Sequence, residues 1–460
     1  MSIRNPSVAA HQWRTRFLRG IGLGGILISL GCHGLLDVSN PTLVQDSDIA
    51  NAAGANARRL QVSITVNQGV GSLIRDVALF TDEWSLDANP LIAGRFVSDL
   101  VMLDRRDSQG YEKNHTYATG TNIDDPHLGG WDRMVSNADI AIPQVQTYTP
   151  DSLKGDYLAQ LFAIKGFAIV QMAEDICSGF PINEVENNLP VFVAPYTTDS
   201  SAKYAIVQLD SAIRYAKDST RFLNFARVVR GRAFLDLGQY DLAAQAVADV
   251  PTDFVYETEG ANGVFQFPSS FCRQTFCQNR VVADREGGVG LPFVSAHDPR
   301  TPVTAVGVSI LHPTDSAYFS ARFSDINVPV PLATGIEARL IEAEVELHQH
   351  PESDVWFTML NALRKTVISP AMDTIAAIPA TAAAQVDLLY SERAFWLYLT
   401  GHRLGDLRRL IKNYGRGPET VFPTGTYPLG GTYQGATSIP FMFATESAQN
   451  PKLTSGCTVR

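Results

Sequence analysis

Two sets of side chains are of types that could catalyse glycoside hydrolysis or bind a metal. The spacing within each set argues against these roles. Asp82 and Glu83 form a carboxylate pair, and a retaining glycosidase needs two carboxyl groups about 5–5.5 Å apart across one bond. Neighbouring helical residues point about 100° apart, so this pair would not face a common bond. His348 and His350 follow Glu344, yet positions i and i+2 share no helix face, so we expect no metal site there.

The sequence also lacks the short motifs that mark common catalytic centres. It contains no GxSxG, HExxH or P-loop pattern. The paired CxxC units that are typical of a structural metal site are absent as well. We therefore predict a protein that is not an enzyme and that uses no cofactor and no metal.

The first 31 residues have the pattern of a secretory signal. Four arginines precede any acidic residue, and an apolar run follows from Ile21 to Leu30. This run is shorter than the ~20 residues that a membrane-spanning helix needs. It ends at Ser29-Leu30-Gly31-Cys32, which resembles a bacterial lipobox, so we expect residues 1–31 to be removed and Cys32 to be lipidated. A soluble signal peptide with an incidental cysteine is the alternative.

The other four cysteines form an even set that allows three disulfide connectivities. Cys272 and Cys277 are the easiest to join, because the four intervening residues, in a polar stretch with Arg and Gln, can fold back to the Cα separation of about 5.5–6 Å that a disulfide needs. We predict this disulfide, with free thiols as the alternative. The sequence leaves open whether Cys177 and Cys457 pair.

Composition places the chain among globular proteins and makes nucleic acid an improbable partner. Of 460 residues, 45% are hydrophobic and 18% are charged, which excludes disorder and a coiled coil. The formal charge is −10, and removal of residues 1–31, with four arginines and no acid, makes it −14. No surplus of basic groups remains to attract phosphates.

The remaining sequence predicts a mainly α fold. Apolar residues recur every three or four positions, as in Ile206, Leu209 and Ile213. The segment from Gly231 to Ala243 resembles a tetratricopeptide hairpin, in which a glycine turn separates two helices. We predict a scaffold of such hairpins with long irregular loops and a few short strands. The expected parts are a tether over 32–44, an N-terminal helical part over 45–250, an irregular excursion over 251–330 and a C-terminal part over 331–460.

Helices are expected at 49–66, 73–84, 131–146, 152–177, 202–218, 222–237, 240–248, 334–349, 354–367 and 381–400. Loop character is expected over 87–130 and in the last sixty residues, where Pro and Gly are frequent. Two helical blocks would then support long loops, which are the usual carriers of recognition.

Several stretches together resemble the SusD/RagB family of nutrient-uptake outer-membrane lipoproteins. In the N-terminal half these are Leu36-Asp37-Val38-Ser39-Asn40-Pro41, Thr81-Asp82-Glu83-Trp84, and Trp131 followed by Ser136-Asn137-Ala138-Asp139. In the C-terminal half they are Glu337 to Glu344, Leu360-Asn361-Ala362-Leu363-Arg364, Ser391-Glu392-Arg393-Ala394 and Gly401 to Arg409. The motifs span nearly all of the mature chain in the order in which the family has them.

The resemblance implies a tetratricopeptide-based scaffold anchored by lipid at the outer membrane and facing the cell surface. Such a protein captures oligosaccharides or peptides and caps a SusC-like TonB-dependent transporter as its lid. A lipid-anchored tetratricopeptide adaptor that binds only other proteins, or less readily a secreted helical glycosidase, would share the helices.

Aromatic residues around the 87–130 loop are the candidate ligand contacts. Sugar CH faces stack on aromatic rings, and Trp84, Tyr111, Tyr117 and Trp131 lie in or beside this loop. Burial of Trp131 between helices is the alternative. A second group, in the C-terminal motif, is interpreted as structural: Trp396 as a core residue, and an ion-pair network of Glu392, Arg393, Arg403, Asp406 and Arg408.

Overall fold

Helices make up most of the chain in the computed structural model, which confirms the predicted mainly α fold. The structure describes residues 46–87, 95–110, 128–217, 219–258, 280–309, 314–322, 328–441 and 443–457. The signal, Cys32 and the tether lie outside these ranges, so their expectations stay predictions.

The helices are α1 (Asp46–Ile49), α2 (Ala52–Phe80), α3 (Arg95–Asp104), α4 (Leu128–Tyr148), α5 (Asp151–Asp175), α6 (Thr198–Ala216), α7 (Thr220–Asp236), α8 (Tyr240–Val247), α9 (Gly335–Gln349), α10 (Val355–Thr366), α11 (Ala382–Trp396), α12 (Arg403–Tyr414) and α13 (Phe443–Gln449). The strands are β1 (Trp84–Leu86), β2 (Glu184–Glu186), β3 (Leu189–Val191), β4 (Val255–Glu257), β5 (Arg280–Val282), β6 (Val303–Val308), β7 (Ser316–Ser320) and β8 (Pro331–Thr334).

Side-chain oxygens fix where several helices begin. At each of these positions the side chain accepts a hydrogen bond from the backbone N–H three residues later, which satisfies one of the free donors of the first helical turn. The capping residues are Asn51 for α2, Thr197 for α6, Thr334 for α9 and Thr381 for α11.

Helices α4 to α8 pack one against the next as antiparallel hairpins. Glycines set the closest approaches, since a Cβ at Gly166 would lie 2.6 Å from Leu209, and one at Gly231 would lie 2.6 Å from Val247. Gly238 turns the chain between α7 and α8 at φ +68°. The predicted tetratricopeptide-like hairpin is therefore confirmed, and it belongs to a stack in which each hairpin covers its neighbour's apolar face.

The helices predicted over 49–66 and 73–84 are one continuous helix, α2. The glycine-containing stretch between them is helical, and its Gly69 faces a methionine of α4, where a Cβ would be only 3.2 Å away. The helix ends where the Thr81 hydroxyl and backbone N–H both donate to a carbonyl of the last turn. Trp84 therefore belongs to β1 and does not end a helix.

Two regions predicted as loops contain helices. The 87–130 region includes α3, whose Leu103 is buried. The last sixty residues include α12, where Leu404, Leu407 and Leu410 recur every three residues and are buried. Five charged residues flank this apolar stripe, and three of them, Arg403, Asp406 and Arg409, are buried in ion pairs. The high charge of the segment is why the sequence does not predict this helix.

The strands of the described residues form short antiparallel pairs: β1 with β5, β2 with β3, β4 with β8 and β6 with β7. In the first pair Trp84 lies opposite Val282 and Leu86 opposite Arg280. Four of the strands, β4 to β7, lie within the predicted irregular excursion, so the expectation of a few short strands there is confirmed.

Residues Asp46–Arg460 form one compact unit. Within it, the part boundaries expected at 250 and 330 stay predictions. Among the described residues, no helix combines the length and the apolar character that crossing a membrane requires.

A disulfide joins Cys177, at the end of α5, to Cys457 near the end of the described chain. The two Cα atoms are 5.5 Å apart, and 280 residues separate the cysteines in sequence. This pairing is one that the sequence left open, and it is compatible with the predicted Cys272–Cys277 disulfide. Both of those cysteines lie outside the described residues, so that disulfide stays a prediction.

Candidate functional site

Strands β1 and β5 pair with each other, and each borders a segment outside the described residues. β1 leads towards segment 88–94, and β5 follows segment 259–279. Helix α3 ends against β1, because Asp104 Oδ2 accepts the backbone N–H of Leu86 at 3.0 Å. We call β1, β5 and the C-terminal end of α3 the β1–β5 floor. It is the candidate functional site, because it contains Trp84, which the sequence proposes as a ligand contact, and because buried carboxyl groups cluster beside it.

The two tryptophans proposed as ligand contacts are core residues in this structure. Trp84 and Trp131 are each 1% exposed. Trp131 packs between α4 and α5, with its ring edge to face on Phe167 at a centroid distance of 5.9 Å. Their assignment as sugar-stacking residues is therefore corrected, because helix packing and strand pairing cover both indoles. Tyr111 and Tyr117 lie outside the described residues.

Two carboxyl groups and two tyrosines form a buried cluster beside the floor. The Tyr427 hydroxyl donates to Asp104 Oδ2 at 2.7 Å, and the Tyr433 hydroxyl donates to Glu286 Oε1 at 2.7 Å. The two tyrosine rings meet edge to face with centroids 5.3 Å apart. We call these four residues the carboxyl–tyrosine cluster. It fastens the 425–435 hairpin and the turn at Glu286 to the floor.

Burial makes these carboxyl groups weak acids. Desolvation raises the pKa of Asp104 to about 7, although hydrogen bonds from Tyr427 and Leu86 favour the charged form. Desolvation also holds the pKa of Glu286 well above its usual range, and the nearby Asp104 charge raises it further. The cluster can therefore bind or release a proton near neutral pH.

A short repeat in the sequence contains both tyrosines of the cluster. Gly425-Thr426-Tyr427 and Gly431-Thr432-Tyr433 repeat one tripeptide. In the structure Thr426 and Thr432 pair across an antiparallel bridge, which places the two tyrosines side by side. A repeated Gly-Thr-Tyr around a glycine turn predicts such a hairpin.

Asp82 and Glu83 lie in the turn after α2, whereas the sequence predicts them on a helix, and they contact different partners. Arg403 donates to both oxygens of Asp82, at 2.6 and 2.8 Å. Glu83 Oε1 accepts the backbone N–H of Leu399 at 2.8 Å, and burial raises its pKa to about 8. Both side chains fasten the loop between α11 and α12 to the segment that precedes the floor.

Arg393, Asp406 and Arg409 form the centre of an ion-pair network in the C-terminal motif. The sequence predicts Arg393 and Asp406 as members of this network and does not include Arg409. Arg393 donates to both oxygens of Asp406, at 3.1 and 2.9 Å, and Arg409 donates to it at 2.5 Å. Glu344 lies 3.7 Å from Arg393 and 3.3 Å from Arg409. The two cations hold the pKa of Asp406 far below its usual range. The structural interpretation of this motif is confirmed.

Other members of the motif pair with distant parts of the chain. Glu392 accepts from Arg300 at 2.7 Å and from Arg364 at 3.0 Å, and Arg408 donates to three carbonyls near the end of α5. Trp396 is 7% exposed and lies against the Arg300 guanidinium, which confirms its interpretation as a core residue.

The histidines near the end of α9 contact other groups. The His348 ring stacks on Tyr240 with centroids 3.7 Å apart. His350 lies 4.0 Å from Glu352 at the surface. Within the described ranges, no group of three or more His, Cys, Asp or Glu side chains is arranged to hold a metal ion.

The architecture is a stack of tetratricopeptide-like hairpins with a C-terminal helical layer locked to it by buried ion pairs, and solved structures share it. A putative sugar-binding protein from Bacteroides vulgatus is 14% identical; the match covers 87% of this chain and 97% of that one, with a TM-score of 0.61. A SusD-like protein from Bacteroides fragilis is 10% identical, with coverage of 89% and 97% and a TM-score of 0.60.

A SusD-like carbohydrate-binding protein from Bacteroides vulgatus is 13% identical, with coverage of 78% and 83% and a TM-score of 0.54. No family model matches the sequence, and no curated protein is similar enough to match it. The chain has the SusD-like fold, and the resemblance seen in its motifs is confirmed at the level of that fold.

Proposed function

We propose that this protein captures an oligosaccharide or peptide at the cell surface and delivers it to a SusC-like TonB-dependent transporter, acting as the transporter's lid. The observation that carries the proposal is the SusD-like fold, which extends over 78–89% of the chain in the comparisons above. Two of those structures are described as sugar- or carbohydrate-binding proteins. The glycan is therefore the favoured ligand class, and a peptide is the other.

Anchoring by lipid at the outer membrane is the second part of the proposal. With a formal charge of −14, the mature chain has no surplus of positive charge for anionic lipid. Each buried CH₂ of an acyl chain contributes about 0.8 kcal/mol, and two chains suffice for stable anchoring. Cys32 is the residue proposed to carry them.

Mass spectrometry of membrane-extracted protein tests the anchor. We expect an N-terminal peptide that begins at an acylated Cys32. A Cys32→Ser variant, which leaves the compact unit Asp46–Arg460 intact, should move to the soluble fraction. An unmodified Cys32 in a mature chain that begins elsewhere would refute lipid anchoring.

Two features support the proposed partnership with a transporter: the exposed faces of the helical hairpins and the 32–44 tether. Stacked helical hairpins expose broad faces suited to a large protein interface. A lipid anchor and the 32–44 tether would keep the lid at high effective concentration above its barrel, so a modest interface could open and close repeatedly.

Affinity purification after gentle detergent extraction tests this partnership. We expect a barrel-sized outer-membrane protein to copurify with the wild-type chain, and the Cys32→Ser variant to recover much less of it. Elution of the wild-type chain alone, under conditions that preserve other outer-membrane complexes, would reject the lid. Recovery of other proteins without a barrel would favour the adaptor.

A non-catalytic role is the third part of the proposal, and the contacts of Asp82 and Glu83 support it. Asp82 is held by Arg403 and Glu83 by a backbone N–H, so this pair does not flank a bond. We expect a bound glycan to keep its chain length during long incubation with the protein. Reproducible shortening that a single carboxylate substitution abolishes would make the protein a glycosidase.

A further inference from the structure

Two tyrosines attach the 425–435 hairpin to the rest of the protein. Tyr427 and Tyr433 are 2% and 9% exposed, and theirs are the only buried side chains of this hairpin, all of which lies within the described residues. The Tyr427 hydroxyl donates to Asp104 at the end of α3, and the Tyr433 hydroxyl donates to Glu286. The attachment of the hairpin therefore depends on two buried carboxyl groups.

Glycines stand at both ends of this hairpin. Gly425 and Gly435 have φ values of +79° and +85°, which glycine adopts without strain. A Cβ at Gly425 would meet no atom within 4 Å. At the base of the hairpin, the backbone N–H of Gln434 donates to the carbonyl of Arg105 at 2.9 Å. A rotation of the hairpin about its two glycines would break this bond and expose both tyrosines.

The two carboxyl groups are buried without a cation that binds them. Among the described residues, Asp104 Oδ1 and Glu286 Oε2 have no hydrogen-bond partner. The charges that act on Glu286 are those of Asp104 and Asp82, which both disfavour its ionisation. Charged groups next to the cluster are in ion pairs with one another: Asp82 with Arg403, Arg106 with Glu419, and Arg105 with Asp107. An ionised carboxylate in such surroundings is costly until water reaches it, so ionisation favours an open hairpin.

The direction and size of this pH effect follow from burial. Burial raises the pKa of Asp104 from 3.8 to about 7 and holds that of Glu286 well above its usual range. The closed hairpin binds these protons more tightly than an open one does. Its advantage is therefore largest at low pH and is lost as the pH rises towards 7. Between pH 6 and 8, ionisation of Asp104 alone should favour opening by about tenfold.

We propose that the 425–435 hairpin is a pH-sensitive strap, which opens more often as Asp104 and Glu286 lose their protons. In the closed form, the protonated carboxyl groups accept the hydrogen bonds of Tyr427 and Tyr433. In the open form, water takes up the protons and solvates both carboxylates, and the end of α3 and the turn at Glu286 are uncovered. The strap needs no ligand, so its test is independent of the proposed nutrient capture.

Hydrogen exchange of residues 33–460, which contain the whole compact unit, measures the opening. Peptides that include Gln434 would be followed by mass spectrometry at pH 6, 7 and 8, and each rate would be divided by the intrinsic rate of the unstructured peptide at that pH. We expect the corrected exchange at Gln434 to accelerate at least tenfold between pH 6 and 8. Equal corrected rates at the two pH values would overturn the proposal.

The bond between Tyr390 and Glu344 provides an internal control. The Tyr390 hydroxyl also donates to a buried carboxyl group at 2.7 Å. Glu344, however, lies 3.3 Å from Arg409 and 3.7 Å from Arg393, so cations balance its charge. The corrected exchange of peptides around Tyr390 should therefore be the same at pH 6 and 8. An equal acceleration there would show a general loosening of the protein and would overturn the strap.

Isosteric variants assign the effect to the two carboxyl groups. In the double variant Asp104→Asn with Glu286→Gln, the amide oxygens can accept from the same tyrosines, and neither side chain titrates. We expect its corrected exchange at Gln434 to be the same at pH 6 and 8. If the double variant fails to fold, Asp104→Asn alone should reduce the wild-type acceleration at least threefold. An acceleration of wild-type size in a folded variant would contradict the proposed role of these carboxyl groups.

Discussion

Replacing Asp104 by asparagine should make the protein more stable at pH 8 than the wild type. The Asp104 side chain accepts two hydrogen bonds, both at Oδ2: one from the backbone N–H of Leu86 and one from the Tyr427 hydroxyl. The amide oxygen of asparagine can accept the same two donors. The substitution therefore removes the titration of a buried group and keeps its contacts.

The magnitude follows from the pKa of Asp104, which rises from 3.8 to about 7 on folding. Because the folded state holds this proton more tightly, the stabilisation is present below pH 4 and is lost as the pH rises towards 7. A shift of about 3 units corresponds to roughly 4 kcal/mol of unfolding free energy. Asp104 also raises the pKa of Glu286, so the substitution adds a smaller change of the same sign.

Urea unfolding of both proteins at intervals between pH 4 and 8 measures the effect. The free energy of unfolding of Asp104→Asn minus that of the wild type should rise by about 4 kcal/mol across this range. Asp156→Asn, at an exposed position of α5, should stay within about 0.5 kcal/mol of the wild type throughout. A pH-independent difference for Asp104→Asn would refute the buried-acid account of the carboxyl–tyrosine cluster.

Two further predictions concern the links that hold the unit together. The disulfide between Cys177 and Cys457 closes a loop of 280 residues, so reduction should lower the unfolding free energy by up to about 5 kcal/mol. Equal urea midpoints with and without reductant would contradict this, and a Cys457→Ser variant should lose this part of the reductant sensitivity. Arg393→Met would leave Asp406 and Glu344 without one buried partner, and we expect a loss of about 3–5 kcal/mol in the same assay. A loss below 1 kcal/mol would show that the network relaxes around the missing charge.

Local patterns predicted those parts of the fold that depend on local packing. The stripe of Ile206, Leu209 and Ile213 corresponds to α6, and the glycine-separated hairpin corresponds to α7 and α8. In each case a few neighbouring residues determine both the helix and its buried face. Helix α12 was not predicted, because Arg403 and Arg409 are buried in ion pairs with acids that are distant in the sequence.

Tertiary pairings explain why the site could not be predicted in the same way. Arg403 and Asp82 are 321 residues apart, and Tyr427 and Asp104 are 323 apart. Nothing near Asp104 in the sequence indicates a tyrosine partner. Trp84 was expected at a loop because the sequence does not show that a strand from beyond residue 279 covers it.

Ligand binding by the folded chain tests the central claim most directly. Residues 33–460, checked for helical content by circular dichroism, would be screened against glycan and peptide arrays and each hit titrated by calorimetry. The account predicts saturable binding of at least one glycan or peptide, with the bound chain recovered at its original length. A folded protein that binds no member of either array would contradict nutrient capture, and a ligand recovered in shortened form would contradict the non-catalytic role.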